Sequence, residues 1–298
     1  MPPSIRKLTG RIGAVVEGVD LTAPPDLSTV TTLRDALNEH KAIVFDDVRL
    51  DNAGQERVAG WFGELTTAHP NVPAADGTTN VLAVDSGTSK ANEWHTDVTF
   101  VVNPPQLTTL RSVVIPPYGG ETLIADAAAA YRDLPEPLRA LADTLRVVHT
   151  NQYDYARPTA ATAERQEYDR VFVSTPYEAE HPVVRVHPLT GERALFIGGF
   201  AKRIVGLSSS DSADLLRLFQ SYVTRPENIL RWTWSPNQLL VFDNRITQHY
   251  GVDNYDDHPR RLNRVTVAGE VPTGVDGRRS EQLVGDAAHY SSVLAVAA

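Results

Sequence analysis

The sequence predicts a mainly β protein with flanking helices. From residue 81 onward, short apolar runs of strand length recur: VLAV, WHTDVTFVV, LTTLRSVVI, ETLIAD, HPVVRVHP, RALFIGG, ILRWTW, QLLVFDN and LNRVTVAG. Pro, Gly or Asn punctuates most of them, which is how strands are bounded. Only a few stretches carry helical spacing. Many short strands with few helices point to a β-sandwich or barrel with helices packed outside.

Taken in order, RIGAVVEGVDL reads as a short strand followed by a loop through PPD. Ser28 is a candidate N-cap for a helix that carries Val30, Leu33 and Leu37 on one face. KAIVFDDV is a compact strand, and a second helix places Val58, Trp61, Phe62 and Leu65 together. TTAHPNVPAADGTTN is rich in turn residues and forms a loop. Among the later strands, HPLTGER is expected to be a hairpin loop, and SPNQ another between WTW and LLVFDN. PLRALADTL is one helical insertion; a second carries Leu215, Leu218, Phe219 and Tyr222 on one face. The polar stretch at about 150–172 has no clear period and is expected to be a mobile lid. With no repeat and no dividing linker, residues 1–298 are expected to form one domain.

Composition narrows the function. The formal charge of −9 argues against nucleic acid and anionic membranes, which favour positive surfaces, but not against a small anion met by a few local cations. The absence of cysteine removes disulfides, zinc ribbons and thiol nucleophiles. No run approaches a membrane span and the N-terminus lacks an apolar signal core, so the expected location is the cytoplasm. The apolar tail SSVLAVAA is expected to pack on the body or on a neighbouring subunit.

Three features carry chemistry. In NEWHTDVTF, His95 and Asp97 are two apart, so on an extended chain they share a face. Chance competes seriously with that pair taken alone. QLLVFDNRITQHYG sets His249 after a buried-looking strand, where a structural histidine is the bland alternative. In HPRRLNRVTVAG, Arg260, Leu262, Arg264 and Thr266 share one strand face, with the two Arg α-carbons roughly 13 Å apart. A solvated edge strand is the competing account, but Val265, Val267 and Ala268 argue for burial. A buried Arg needs an anion from a side chain or a ligand. Two imidazoles and one carboxylate form the ligand set of a non-haem Fe(II) site with open positions. Those positions suit a chelating 2-oxo acid and O2, and an Arg soon after the distal His suits the cosubstrate's far carboxylate.

The chain resembles the taurine dioxygenase family of Fe(II)/2-oxoglutarate oxygenases, and more closely its alkylsulfatase branch. The matching segments, roughly within 8–270, are IGAVVEGVDL, FGELTTAHP, WHTDVTF, PPYGGETLIAD, HPVVRVHPLTGERALFIGGFAKRIVGL, DNRITQHY and RRLNRVTV. The resemblance implies a double-stranded β-helix, or jelly roll, with Fe(II), 2-oxoglutarate and O2 as the reacting partners. It implies His95, Asp97 and His249 as iron ligands, and Arg260 and Thr122 as holders of 2-oxoglutarate. It also implies Arg264 and His69 at the substrate anion, Phe200 lining the pocket, and a homo-oligomer, dimer or tetramer.

Two departures bear on the substrate. Taurine-cleaving members carry Asn where this chain has Ala91 and Tyr where it has Val72. Less polar walls suit an alkyl chain better than an ammonium group. The expected activity is therefore hydroxylation beside a sulfate ester, which then collapses to aldehyde and sulfate. Taurine or another alkylsulfonate, releasing sulfite, is the alternative; a carboxylate substrate stands further off. A Zn-dependent hydrolase with the same ligands would have no use for Arg260, and a metal-free binding protein would not need the three ligands.

Overall fold

The computed structural model describes residues 3–152 and 162–291. Its largest sheet runs in the order Ser4–Lys7, Ala14–Glu17, Ala42–Phe45, Leu239–Asp243, Leu107–Val114, Arg261–Val267 and Leu82–Asp85. A smaller sheet orders Ile229–Trp232, Thr122–Asp126 and Thr247–Gly251. The two share one apolar layer, in which Leu110, Leu240, Phe242 and Leu262 meet Ile124 and Leu230. The other face of the large sheet is covered by the helices Leu27–His40 and Asn52–Gly60. There Leu33, Leu37 and Val58 pack with Ile43, Val241, Val265 and Val267. Strand alternation thus sends Leu262 to one layer and Val265 to the other.

The remaining strands form a four-stranded and a three-stranded sheet among the described residues. The first orders Ala201–Ile204, Arg146–Thr150, Glu178–Pro182 and Glu281–Val284; the second orders Arg193–Leu195, Val184–Val186 and Thr273–Gly274. The helices Ala127–Arg132, Glu136–Thr144 and Ser209–Val223 contribute Ala130, Ala142, Phe219 and Val223 to a second core with Val147, Val184 and Leu195. No helix among the described residues is long and apolar enough to cross a membrane.

Several expectations change. The first helix is capped by Asp26, whose carboxylate accepts from the Thr29 N–H, and Ser28 lies inside it. Both residue types cap well, but the Asp stands one position before the first helical residue. The second helix ends at Gly60, with Trp61 as its C-cap, so Phe62 and Leu65 join the core from outside it. HPLTGER does close a hairpin, since Val184–Val186 and Arg193–Leu195 pair antiparallel. SPNQ does not, because Ile229–Trp232 pairs with Thr122–Asp126 while Leu239–Asp243 joins the large sheet. WHTDVTFVV is not a strand: Val98 sits at φ 54°, in the left-handed region, and turns the chain.

The stretch expected to be a lid is partly helical. Ala163–Phe172 is a helix capped by Thr162, whose hydroxyl accepts from the Arg165 N–H at 3.2 Å. The rest of that stretch, 153–161, and the tail beyond Ser291 lie outside the described residues.

Two buried histidines tie the four-stranded sheet to the turn after Val98. His149 Nδ1 meets the Thr99 hydroxyl at 2.7 Å, and His181 Nε2 meets the Thr99 carbonyl at 2.7 Å. Burial pushes His149 down to about 3 and His181 well below its ordinary value, so both fold neutral. The unfolded chain takes up these protons first, so their contribution to stability is present above about pH 6.5 and is lost as pH falls toward 3. Replacing one such group with a non-titrating His149→Asn should flatten the acid limb of stability. Between pH 6.5 and 4.5 the variant should lose roughly 2–3 kcal/mol less than wild type in denaturant titrations. Parallel curves for the two proteins would contradict this account of His149.

Candidate active site

His249 lies on the strand Thr247–Gly251, opposite Ile124. His95 belongs to the irregular segment before the turn and is clipped to His249 by the backbone. His95 N–H donates to the His249 carbonyl at 3.1 Å, and His249 N–H donates back at 2.8 Å. The two rings stand 4.1 Å apart between centroids. Asp97 completes the group: one ligand atom from each of the three residues lies within 4.8 Å of the others, and all three residues are buried. Among the described residues this is the one cluster of His and carboxylate groups suited to a metal ion.

The donor chemistry fits a divalent metal. The Glu93 carbonyl, 2.7 Å from His95 Nδ1, can only accept, so Nδ1 carries the hydrogen and Nε2 presents its lone pair. That Nε2 faces Asp97 Oδ1 at 3.8 Å, and His249 Nε2 faces the same oxygen at 4.0 Å. Burial lowers His95, and burial together with the neighbouring His95 pushes His249 down to about 3, so both rings are neutral donors. Burial alone would raise the Asp97 carboxyl, but Arg264 and the two imidazoles pull it well below the usual carboxylate range.

The two arginines of the strand Arg261–Val267 and its approach differ in what they meet. This strand is interior, hydrogen-bonded on both sides, so the solvated-edge account fails. Arg264 donates through Nη1 to Asp97 Oδ1 and through Nη2 to the Ala68 carbonyl at 3.3 Å. Arg260 is 5% exposed and donates through Nε to the Gly120 carbonyl at 2.8 Å and through Nη2 to Thr122 Oγ1 at 3.3 Å. No carboxylate of the described residues lies within 4.0 Å of it. Gly120 makes this packing feasible: at φ 68°, a Cβ there would meet Arg260 Cδ at 2.9 Å. Thr122 Oγ1 accepts also from Trp234 Nε1 at 2.9 Å, which leaves its own hydrogen to offer an anion. Arg260, Thr122, His95, His249 and Arg264 line a common cavity, with Leu82, Leu110 and Leu262 as apolar walls.

His69 stands on the far side of Arg264. Its Nδ1 accepts from the N–H groups of Asn71 and Val72, each at 3.0 Å, so the hydrogen is on Nε2. Burial, with Arg264 nearby, pushes it down to about 3, which keeps the ring a neutral donor. Phe200 meets the His95 ring edge-on at 6.0 Å between centroids. The loop carrying it approaches closely because Gly198, at φ 128°, lies where a Cβ would press on the Trp94 carbonyl at 3.2 Å. Phe200 belongs to an apolar cluster with Val98, Phe100, Phe172 and Tyr177, and Val72, Ala91 and Tyr168 pack against it.

All eight residues singled out from the sequence therefore lie in one neighbourhood. Others were missed. Tyr168 lines the cavity and the Phe172 ring meets His69 at a tilt, 5.1 Å between centroids, both from the helix Ala163–Phe172. Their i, i+4 spacing after a Thr cap was the available sign. Thr108 and Asn244, which hold Asp97, left no local mark in the sequence.

A sheet-rich fold with outer helices, a two-histidine, one-carboxylate centre and an adjoining buried cation describe an oxygenase of the non-haem type. The chain belongs to the family described as taurine catabolism dioxygenase TauD, TfdA, whose model matches residues 4–266. It is 51% identical to an alpha-ketoglutarate-dependent sulfate ester dioxygenase of Pseudomonas putida, over 93% of both chains. It is 48% identical to an alkylsulfatase of Acinetobacter baylyi, over 93% of this chain and 88% of that one. The crystal structure of a taurine dioxygenase from Burkholderia xenovorans superposes with a TM-score of 0.83 at 37% identity, covering 99% of this chain and 100% of that chain.

Proposed function

We propose that this protein is an Fe(II)- and 2-oxoglutarate-dependent dioxygenase that cleaves alkyl sulfate esters oxidatively. The observation that carries the reading is Arg260: a buried guanidinium with no carboxylate of the described residues within 4.0 Å, lining the same cavity as His95 and His249 of the metal-binding cluster. Such a cation is stable only when an anionic ligand completes it. Similarity to the sulfate ester dioxygenase and the alkylsulfatase supports the substrate class.

In this reading His95, Asp97 and His249 hold the metal. Iron bound there supplies, with 2-oxoglutarate and O2, an oxidant able to hydroxylate an unactivated C–H bond. Arg260 and Thr122 orient the cosubstrate by its far carboxylate. Arg264 and the Nε2–H of His69 hold the sulfate, and Phe200 with its apolar neighbours takes the alkyl chain and keeps water out. Ala91 and Val72 pack into that cluster, which favours an alkyl tail over an ammonium group. Positioning decides which C–H is presented. Hydroxylation of the carbon that bears the ester oxygen gives a hemiacetal sulfate, and its collapse releases aldehyde and hydrogen sulfate. His69 is neutral and needs no proton transfer in this scheme. The strand order, with two facing sheets and outer helices, supports assigning the core as a double-stranded β-helix. We assign residues 1–298 to one domain, working in the cytoplasm as a dimer or tetramer.

The two arginines separate in kinetics. Arg260→Ala should raise the KM for 2-oxoglutarate by roughly 10–100-fold, and Arg264→Ala should do so chiefly for the sulfate ester. The reverse pattern would contradict the assignment. Medium-chain alkyl sulfates should outperform taurine in 2-oxoglutarate-dependent turnover; a wide preference for taurine would favour the sulfonate alternative. We also assign the helix Ala163–Phe172, through Tyr168 and Phe172, to a lid over the substrate. Limited proteolysis there should slow when both ligands are present, and equal rates would remove the lid.

A further inference from the structure

Asp97 carries two oxygens, and the protein treats them differently. Oδ1 faces both imidazole Nε2 atoms, at 3.8 and 4.0 Å, and takes the Arg264 contact. Oδ2 points the other way and accepts from the Thr108 hydroxyl at 2.7 Å. Thr108 has no solvent exposure and lies on the interior strand Leu107–Val114, paired with Phe242 on one side and Thr266 on the other. Its position is therefore fixed by two ladders, and its hydroxyl is held where Oδ2 needs it.

The Asp97 backbone is fixed as well. Asn244, also without solvent exposure, accepts from the Asp97 N–H at 2.9 Å. Its Nδ2 donates to the Asp97 carbonyl at 3.2 Å and to the Pro105 carbonyl at 2.9 Å. An Asn side chain that brackets both sides of one residue stands in for a strand partner at the point where Val98 turns the chain. With the backbone held, the remaining freedom of Asp97 is rotation of its carboxylate, and Thr108 opposes that rotation.

We propose that Thr108 is a positioning residue that makes Asp97 a one-oxygen metal ligand. The inference rests on the reading of Asp97 as a ligand given above. Its chemical reason is coordination number. A carboxylate that turns both oxygens onto the metal takes a second position, and that position is one the cosubstrate or O2 requires. A hydroxyl that keeps Oδ2 engaged reserves it. Partners of this kind commonly change metal affinity or activity by roughly 10–100-fold when removed.

The test uses the full-length enzyme loaded with Co(II), whose visible d–d spectrum reports coordination number, and compares wild type with Thr108→Val and Thr108→Ser. Thr108→Val keeps the shape and removes the hydroxyl. It should alter the d–d spectrum before any cosubstrate is added and weaken 2-oxoglutarate binding by roughly tenfold or more. Thr108→Ser restores the donor and should return both readouts toward wild type. A Thr108→Val enzyme with the wild-type spectrum and affinity overturns the proposal, as does a Ser variant that behaves like Val. Should Thr108→Val fail to fold by circular dichroism, Thr108→Ala is judged by the same two readouts. A wild-type protein whose Co(II) spectrum is unchanged by Asp97→Asn contradicts the ligand reading itself, a result distinct from failure of Thr108.

Discussion

The structure turns on a carboxylate buried to 1% exposure at Asp97. Taking an ion out of water costs several kcal/mol unless opposite charge and hydrogen bonds compensate it. Here the compensation comes from two separated parts of the chain, the Arg264 guanidinium and the Thr108 hydroxyl, while Asn244 holds the Asp97 backbone. Each sits on, or at the end of, a strand whose register is fixed by its neighbours. The pairing of the sheets and the position of the charge thus constrain one another. Left-handed backbone at Val98 costs a β-branched residue about 1–3 kcal/mol, and it is retained where it turns the chain directly after this carboxylate.

From that centre the division of labour follows. Arg260, just before the strand Arg261–Val267, and Arg264 within it line the same cavity, but their partners differ. Arg264 shares the carboxylate of the metal cluster, whereas Arg260 is backed by Gly120 and Thr122 and meets no carboxylate among the described residues. An enzyme that must bind two anions beside one cation centre gains from this asymmetry. In the proposed assignment the cosubstrate anion completes the Arg260 cation, and the substrate anion approaches Arg264, which is already paired with Asp97. Phe200 lies in a buried apolar cluster beside this centre, which the proposed assignment gives to the alkyl chain.

Much of this was legible in the sequence, and the limits are physical. The alternation of Leu262, Arg264 and Thr266 was legible because their strand is interior and paired on both sides, whereas Arg260 precedes the strand and reaches the same cavity from its approach. His95 and Asp97 were found by a strand argument that the structure does not support, since the turn at Val98 interrupts any strand there. They converge on His249 through a single reciprocal backbone bridge instead. SPNQ looked like a hairpin because turn chemistry is local, while the sheet each flanking strand joins is decided by long-range packing. Asn244 stayed hidden for the same reason, its partner lying 147 residues away, and Thr108 because a Thr in a strand has many ordinary uses.

The central claim is that the ester is cleaved by oxidation at carbon. The most direct measurement follows an alkyl sulfate whose bridging oxygen is labelled with 18O, incubated with Fe(II), 2-oxoglutarate and O2. The account predicts the label in the released sulfate, an aldehyde as the organic product, and one aldehyde for each succinate formed. Sulfate released equally well without O2, with the label retained in an alcohol, would contradict it.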